Sequence, residues 1–214
     1  GCAQVILPYV IGSNGVYEQQ TAWEVLAEKC ELLVMWGADP TVTNDIDWVT
    51  TIHENAEGME MVKKAGVPVI AINPLKPDAA EYFGKNCQWI APKPGTDVAM
   101  MLGMAYELET SGKVDREFIR KYTVGYDKFI AYVLGKTDGV AKTPEWAEKI
   151  CDVKADAIKS LAHLMREKRS MLMGGWGIQR AQHGEQVHWM MVVLAAMCGH
   201  IGQPGGGFGF SYHY

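Results

Sequence analysis

Hydrophobic positions cluster in short runs, and each run is followed by a loop of Gly, Pro, Asn or Asp. Glu31–Met35, Val67–Ile72, Gln88–Ala91 and Ser170–Met173 are short and largely apolar, the pattern of strands buried on both faces of a parallel sheet. Between them the spacing lengthens to that of helices. Gln19–Lys29 reads as a helix leading into the first strand. His53–Ala65 places Met59, Met61, Val62 and Ala65 at helical spacing and stops at Gly66. Asp78–Phe83 is a short helix or turn. Thr96 or Asp97 is placed to cap an apolar helix Val98–Glu109 that ends near Gly112. Asp115–Tyr122 and Asp127–Leu134 are shorter helices, and Thr143-Pro144-Glu145 opens another, with Thr as cap and Pro in the first turn. From Asp152 or Lys154 to Lys168 a stripe of Ala157, Ile158, Leu161, Ala162, Leu164 and Met165 predicts an amphipathic helix. Gly184–Met197 is a long apolar helix, and Gly199–Gly209 reads as glycine-rich coil.

Alternation of strand and helix predicts an α/β fold: a Rossmann-like three-layer domain with a mainly parallel sheet. It covers 1–214 as a single domain, with 1–20 and 199–214 as flanking segments. The strand–helix–strand unit from Glu31 to Ile72 should cross over in the right-handed sense.

In such a sheet, ligands bind at the carboxyl ends of the strands. Four loops follow predicted strands: Trp36-Gly37-Ala38-Asp39-Pro40, Asn73-Pro74, Lys93-Pro94-Gly95-Thr96-Asp97 and Gly174–Arg180. They should share one rim. Each also has a structural reading. Gly37 lets a ligand approach the backbone, but Asp39 and Pro40 equally suit a tight turn. Asn73 sits where a ribose or base is gripped, or only turns the chain. Asp97 caps a helix, or accepts from the N1–H and exocyclic amine of guanine with Thr96 sharing the work. Arg180 suits a phosphate or anionic substrate, or is a surface cation beside a packed Trp176. His183 and His188 are spaced i, i+5, off a shared helix face, so they make no metal pair. Gly202–Gly209 follows a helix and not a strand, which removes the dinucleotide signature.

Composition narrows the classes. With 48% hydrophobic and 21% charged residues, the 214-residue chain can build a sizeable core. A net charge of -5 leaves no broad basic surface for nucleic acid, though backbone amides can still hold a phosphorylated cofactor. None of the five cysteines falls in a C-x-x-C pair, so neither an iron–sulfur cluster nor structural zinc is indicated. No apolar run reaches the length of a membrane span. Gly1 in place of Met, and the abrupt Phe208–Tyr214, read as a piece of a longer chain.

Several motifs carry a resemblance along the whole sequence: Tyr17-Glu18-Gln19-Gln20-Thr21, Pro94–Ala99, Gly125-Tyr126, Lys142–Ala147, Met171–Gln179, Gly184-Glu185-Gln186 and Gly202–Phe208. Together they resemble the dimethyl sulfoxide reductase family of molybdopterin oxidoreductases, and most closely its trimethylamine N-oxide, dimethyl sulfoxide and biotin sulfoxide reductase branch. The Gly-Trp-Gly-x-Gln-Arg segment and the Pro-Gly-Gly-Gly-Phe-Gly tail are the most specific. The resemblance implies a bis(molybdopterin guanine dinucleotide) molybdenum cofactor and reduction of a small S-oxide or N-oxide. It implies that Asp39, Asn44, Asn73, Pro74, Gly95, Thr96 and Asp97 hold one guanosine and its phosphates. Trp176, Gly177 and Arg180 would lie near the pterin and the substrate funnel, and Trp36, Gly37 and Gly175 complete the expected cofactor-binding set. Asp39 departs from the family pattern, where Asn is frequent. A molybdenum-ligating Ser is expected just upstream of Gly1, so no catalytic residue is expected in this stretch, which alone should be inactive. Implied partners are the remaining domains of the parent chain and an electron donor such as a c-type cytochrome, in a periplasmic setting, with cytoplasmic members also known. The residues alone leave open a non-catalytic purine-nucleotide-binding module on the same rim.

Overall fold

The computed structural model describes residues 1–17, 21–43, 53–210 and 212. In chain order the elements are α1 (Cys2–Ile11), α2 (Trp23–Lys29), β1 (Leu32–Trp36), α3 (Pro40–Thr43), α4 (Asn55–Lys64), β2 (Val69–Ile72), α5 (Asp78–Phe83), β3 (Cys87–Ile90), α6 (Asp97–Thr110), α7 (Arg116–Tyr122), α8 (Tyr126–Val133), α9 (Pro144–Cys151), α10 (Ala155–Glu167), β4 (Ser170–Gly174), α11 (Glu185–Cys198) and β5 (Gly207–Gly209). The sheet has five strands in the order β3-β2-β1-β4-β5, and every pairing is parallel. The chain therefore grows outward from β1 in one direction and returns to its other side through β4, which makes the β1/β4 junction the topological switch point.

Alternate residues of the strands feed two cores. Leu32, Val34, Trp36, Ile70, Ile72 and Leu172 join the helices on one face, from α1 and α6 through α11. Leu33, Met35, Val69, Met171 and Met173 join α2, α4 and α5 on the other. Each fully buried side chain of this kind contributes about 1.5–3 kcal/mol, and the result is the three-layer α/β arrangement expected from sequence. Local signals hold where they are chemical. Thr143 Oγ1 accepts from the Trp146 amide at 3.1 Å with Pro144 behind it, and Asp115 Oδ1 caps α7 by accepting from the Phe118 amide at 2.9 Å.

Two expectations are corrected and one helix is added. Residues 2–11 form a helix that the hydrophobic pattern does not announce, because CAQVILPYVI has no charged face to set a period. Its end is fixed by Gly12, at φ 77, whose amide bonds to Pro8 O at 3.1 Å. Helix α2 begins at Trp23, and residues 19 and 20 of the expected Gln19–Lys29 helix lie outside the described residues. Gly207–Gly209, expected as coil, is an edge strand in register with Met171–Met173 of β4. Glycines have no side chains to alternate, so only the ladder reveals it.

Close backbone packing at the switch point is specific to glycine. A Cβ on Gly175 would sit 1.6 Å from Gly37 O, whereas one on Gly177 would meet nothing within 4 Å. Gly175→Ala should therefore lower stability by about 1–3 kcal/mol, and Gly177→Ala should stay near wild type. Denaturant unfolding of the two variants checks the contrast; equal effects would contradict the packing described.

Candidate functional site

Because β1 to β4 run parallel, the loops that follow them open on one rim. The first and third loops are joined underneath it. Trp36, the last residue of β1, is fully buried, and its Nε1 donates to Asp97 Oδ1 at 2.8 Å. Asp97 opens α6 and is itself buried. Burial raises its pKa above the ordinary carboxylate value, and the indole hydrogen bond opposes that rise. This corrects the capping expectation. The Thr96 hydroxyl donates to Lys93 O at 2.6 Å, the Asp97 carboxylate is claimed by Trp36, and no side chain caps α6. The start of this 14-residue helix meets the rim without a side-chain cap.

Asp39 makes the contacts of a tight turn. Its Oδ1 accepts from the Thr41 amide at 3.2 Å and from the Thr41 hydroxyl, and its Oδ2 accepts from the Ala79 amide at 3.4 Å. Both oxygens are occupied in starting α3 and tying it to α5. Asn44 lies outside the described residues. Asn73 is anchored by its backbone: its amide bonds to Ile90 O at 3.1 Å and its carbonyl accepts from Trp89 Nε1 at 2.8 Å. Beside it a cavity of about 630 Å³ opens at the tips of β2 and β3, lined by Asn73, Pro74, Ala91, Lys93, Pro94 and Asp152. Lys93 Nζ stands 3.9 Å from Asp152 Oδ2, with both side chains largely exposed. Gly95 continues that loop at φ 75, with no atom within 4 Å of where a Cβ would be.

The fourth loop closes the switch point. The Gly175 amide bonds to Trp36 O at 2.9 Å, and Ile178 lies over Gly37, which adopts φ 59. Gly37 and Gly175 thus pack on each other. Trp176 is half-buried, while Gly177 and Arg180 are exposed. The rim therefore has two stations. Asn73, Pro74, Lys93 and Pro94 share the cavity at the β2/β3 tips, with Gly95 and Thr96 next in the chain. Trp176, Gly177 and Arg180 belong to the β1/β4 side.

Gln179 was passed over by the sequence reading. It is buried, and its Oε1 accepts from the Ala3 amide at 2.8 Å. A Cβ on Gly184 would fall 1.8 Å from its carbonyl oxygen. Gln179, within the fourth loop, thus bonds the start of α1 and packs closely on Gly184 just before α11. The available signal was an amide side chain between Ile178 and Arg180 in a glycine-rich turn. His188 is fully buried on α11, 4.5 Å from Phe210 in a T-shaped contact. Burial lowers its pKa to about 4, while its contact with the Gly175 backbone acts in the opposite direction. It stays neutral at physiological pH. His183 is exposed, 3.8 Å from Glu185, in a different environment.

Residues 2–214 match the family model described as Molybdopterin oxidoreductase. The chain belongs to the molybdopterin oxidoreductase family. It is 53% identical over 214 residues to a dimethyl sulfoxide/trimethylamine N-oxide reductase of Rhodobacter capsulatus, covering 100% of this chain and 26% of the relative. It is 51% identical over 214 residues to a trimethylamine-N-oxide reductase of Haemophilus influenzae, with the same 100% and 26% coverage. The chain thus spans about a quarter of the length of these curated relatives. Among solved structures it resembles acetylene hydratase from Pelobacter acetylenicus, with a TM-score of 0.63 and 17% identity over 86% of this chain and 25% of that one. That likeness concerns the fold alone. Membership of the molybdopterin oxidoreductase family implies a molybdenum–pterin cofactor.

Asp97 gives a pH test of the rim. Its folded-state pKa lies above the unfolded value, so the stability linked to its proton is full below the unfolded pKa and is lost as pH rises through the folded one. Asp97→Asn keeps an acceptor for Trp36 but does not ionise. In cofactor-free protein, the variant should gain stability relative to wild type as pH rises from the ordinary carboxylate range toward neutrality. Denaturant titrations across that interval read the difference; parallel curves would contradict it.

Proposed function

We propose that this chain is the domain that holds one guanine dinucleotide arm of a bis(molybdopterin guanine dinucleotide) molybdenum cofactor, in an enzyme that reduces S-oxides or N-oxides by oxygen-atom transfer. The observation that carries this reading is the cavity at the β2/β3 tips, set beside the uncapped start of α6 and the buried Trp36–Asp97 pair. Its volume of about 630 Å³ suits a nucleotide-sized ligand. Asn73 supplies an amide side chain, Pro74 and Pro94 supply apolar surface for a purine, and Lys93 supplies a cation. Backbone amides at a helix start are suited to phosphate. In this proposal Asn73, Pro74, Lys93, Gly95, Thr96 and Asp97 hold the guanosine and its phosphates. Trp176, Gly177 and Arg180 would face the pterin. Trp36, Gly37 and Gly175 act by shaping the rim, and Asp39 by fixing its turn.

When bound, the cofactor supplies two-electron oxygen-atom-transfer chemistry; the protein supplies position and electrostatics. Arg180 offers a permanent cation toward phosphate or a polar oxide. His188, neutral beneath the fourth loop, adds no charge there. No residue of this stretch is assigned to the chemical step.

Support for the reaction class comes from relatives named as dimethyl sulfoxide and trimethylamine N-oxide reductases, which match along the whole of this chain. The alternative of a non-catalytic purine-nucleotide module finds no support among them. The resemblance extends the proposal to a periplasmic setting and to a donor such as a c-type cytochrome. Among the described residues no helix is long and apolar enough to cross a membrane.

The test is an anaerobic assay of the full-length protein with reduced viologen and trimethylamine N-oxide, dimethyl sulfoxide or biotin sulfoxide, alongside molybdenum and acid-released guanine nucleotide contents. Turnover of at least one oxide, with molybdenum and guanine nucleotide present, is expected. Asn73→Ala should weaken cofactor retention by roughly threefold to tenfold, the cost of one hydrogen bond to a buried ligand. Purified protein with no molybdenum and no turnover would defeat the proposal.

A further inference from the structure

Of the three aspartates that the fold brings to the rim, two bond within it. Asp39 accepts from Thr41 and Ala79, and Asp97 Oδ1 accepts from the buried Trp36 indole. Asp152 is different. It follows α9, its side chain is 74% exposed, and it lines the cavity at the β2/β3 tips. Its carboxylate faces Lys93 Nζ at 3.9 Å, beyond hydrogen-bond distance. The turn that carries it is fastened to the β3 loop, because the Lys93 amide donates to Cys151 O at 2.9 Å. Asp152 closes α9 in the left-handed conformation, at φ 65, with its amide donating to Glu148 O at 2.9 Å. Glycine is the usual residue at such a helix end, since a side chain there is strained. Here the strained position puts a carboxylate on the cavity wall. The turn follows a helix and not a strand, so no strand-end rule points to it.

We propose that Asp152 selects the base held in this cavity, by accepting hydrogen bonds from a purine that presents a ring N–H and an exocyclic amine, as guanine does. The proposal rests on the assignment of the cavity to a guanine nucleotide and names the residue that discriminates. Asp152 is the one carboxylate among the residues that line the cavity, and Asn73 and Lys93 are the other polar side chains there. Pro74, Pro92 and Pro94 offer apolar surface to the ring faces. A carboxylate has acceptors to offer and no donor when ionised. Guanine meets it with N1–H and the amine on one edge. Adenine has a lone pair at N1, which a carboxylate repels, and hypoxanthine keeps N1–H but lacks the amine. Charge also sets the direction of the ligand. Phosphates are repelled by Asp152 and drawn to the backbone amides at the start of α6, which no side chain caps. The base then lies toward the turn between α9 and α10, and the diphosphate toward Gly95 and Thr96.

Calorimetric titration of the full-length, cofactor-free protein with GDP, IDP and ADP tests it. Wild type should bind GDP about tenfold more tightly than IDP or ADP, the difference expected of one hydrogen bond to a charged group. Asp152→Gly suits the left-handed turn and so should fold at least as well as wild type. It should weaken GDP and bring the three affinities within about twofold of one another. Asp152→Asn, equal in shape but uncharged, should reduce the GDP preference in the same direction. Equal binding of the three nucleotides by wild type, or a GDP preference that persists in Asp152→Gly, would overturn the proposal while leaving the cavity a nucleotide site. Failure of wild type to bind any of the three would overturn the proposal together with the nucleotide assignment itself.

Discussion

One buried hydrogen bond organises the working edge of this domain: the Trp36 indole donates to the Asp97 carboxylate at 2.8 Å. A carboxylate out of water is costly unless it is satisfied, and an indole N–H is a donor only. Each group meets the other's need. The bond spans from the end of the central strand to the start of α6, and so sets the first and third loops in one position. In exchange, α6 begins without a side-chain cap. The Gly37–Gly175 contact fixes the fourth loop by a different means, exclusion of side-chain volume.

From these constraints a division of labour follows. In many open α/β sheets the crevice at the switch point receives the ligand. Here Gly37 and Gly175, the residues just past β1 and β4, close on each other, and the cavity opens instead at the neighbouring β2/β3 tips. Gln179 and His188 lie under the β4 loop and join it to α1 and α11. The rim is thus supported from below by buried polar groups, while Asn73, Lys93, Gly95 and Arg180 stand on its upper side. Molybdopterin oxidoreductases place demanding chemistry on the cofactor, and a rigid edge is what such a division requires of the protein.

The sheet was legible in the sequence because its strands are consecutive apolar runs with turn residues directly behind them. Val67–Ile72 and Ser170–Met173 needed no tertiary information. Helix α1 and strand β5 were not legible, and for opposite reasons. The first is apolar on every side, so no period appears; the second is Gly-Phe-Gly, with too few side chains to alternate. At the rim, the loops were found correctly, but side-chain duties depended on partners distant in sequence. Asp97 looked like a cap until Trp36, sixty-one positions away, took its oxygen. Asp39, a cofactor contact by resemblance, also turns the chain, through acceptor bonds to Thr41 and Ala79 that sequence spacing alone does not reveal. Gln179 stood in a recognisable glycine-rich motif, but its role was hidden because its partner Ala3 lies 176 positions away.

The most direct measurement of this account is a double-mutant cycle on the full-length, cofactor-free protein, combining Trp36→Phe with Asp97→Ala and reading unfolding free energies at neutral pH. If the indole–carboxylate bond locks the rim, the two substitutions should be coupled by about 1–3 kcal/mol. Additivity within about 0.5 kcal/mol would contradict it, and would mean that the two loops are held in place independently.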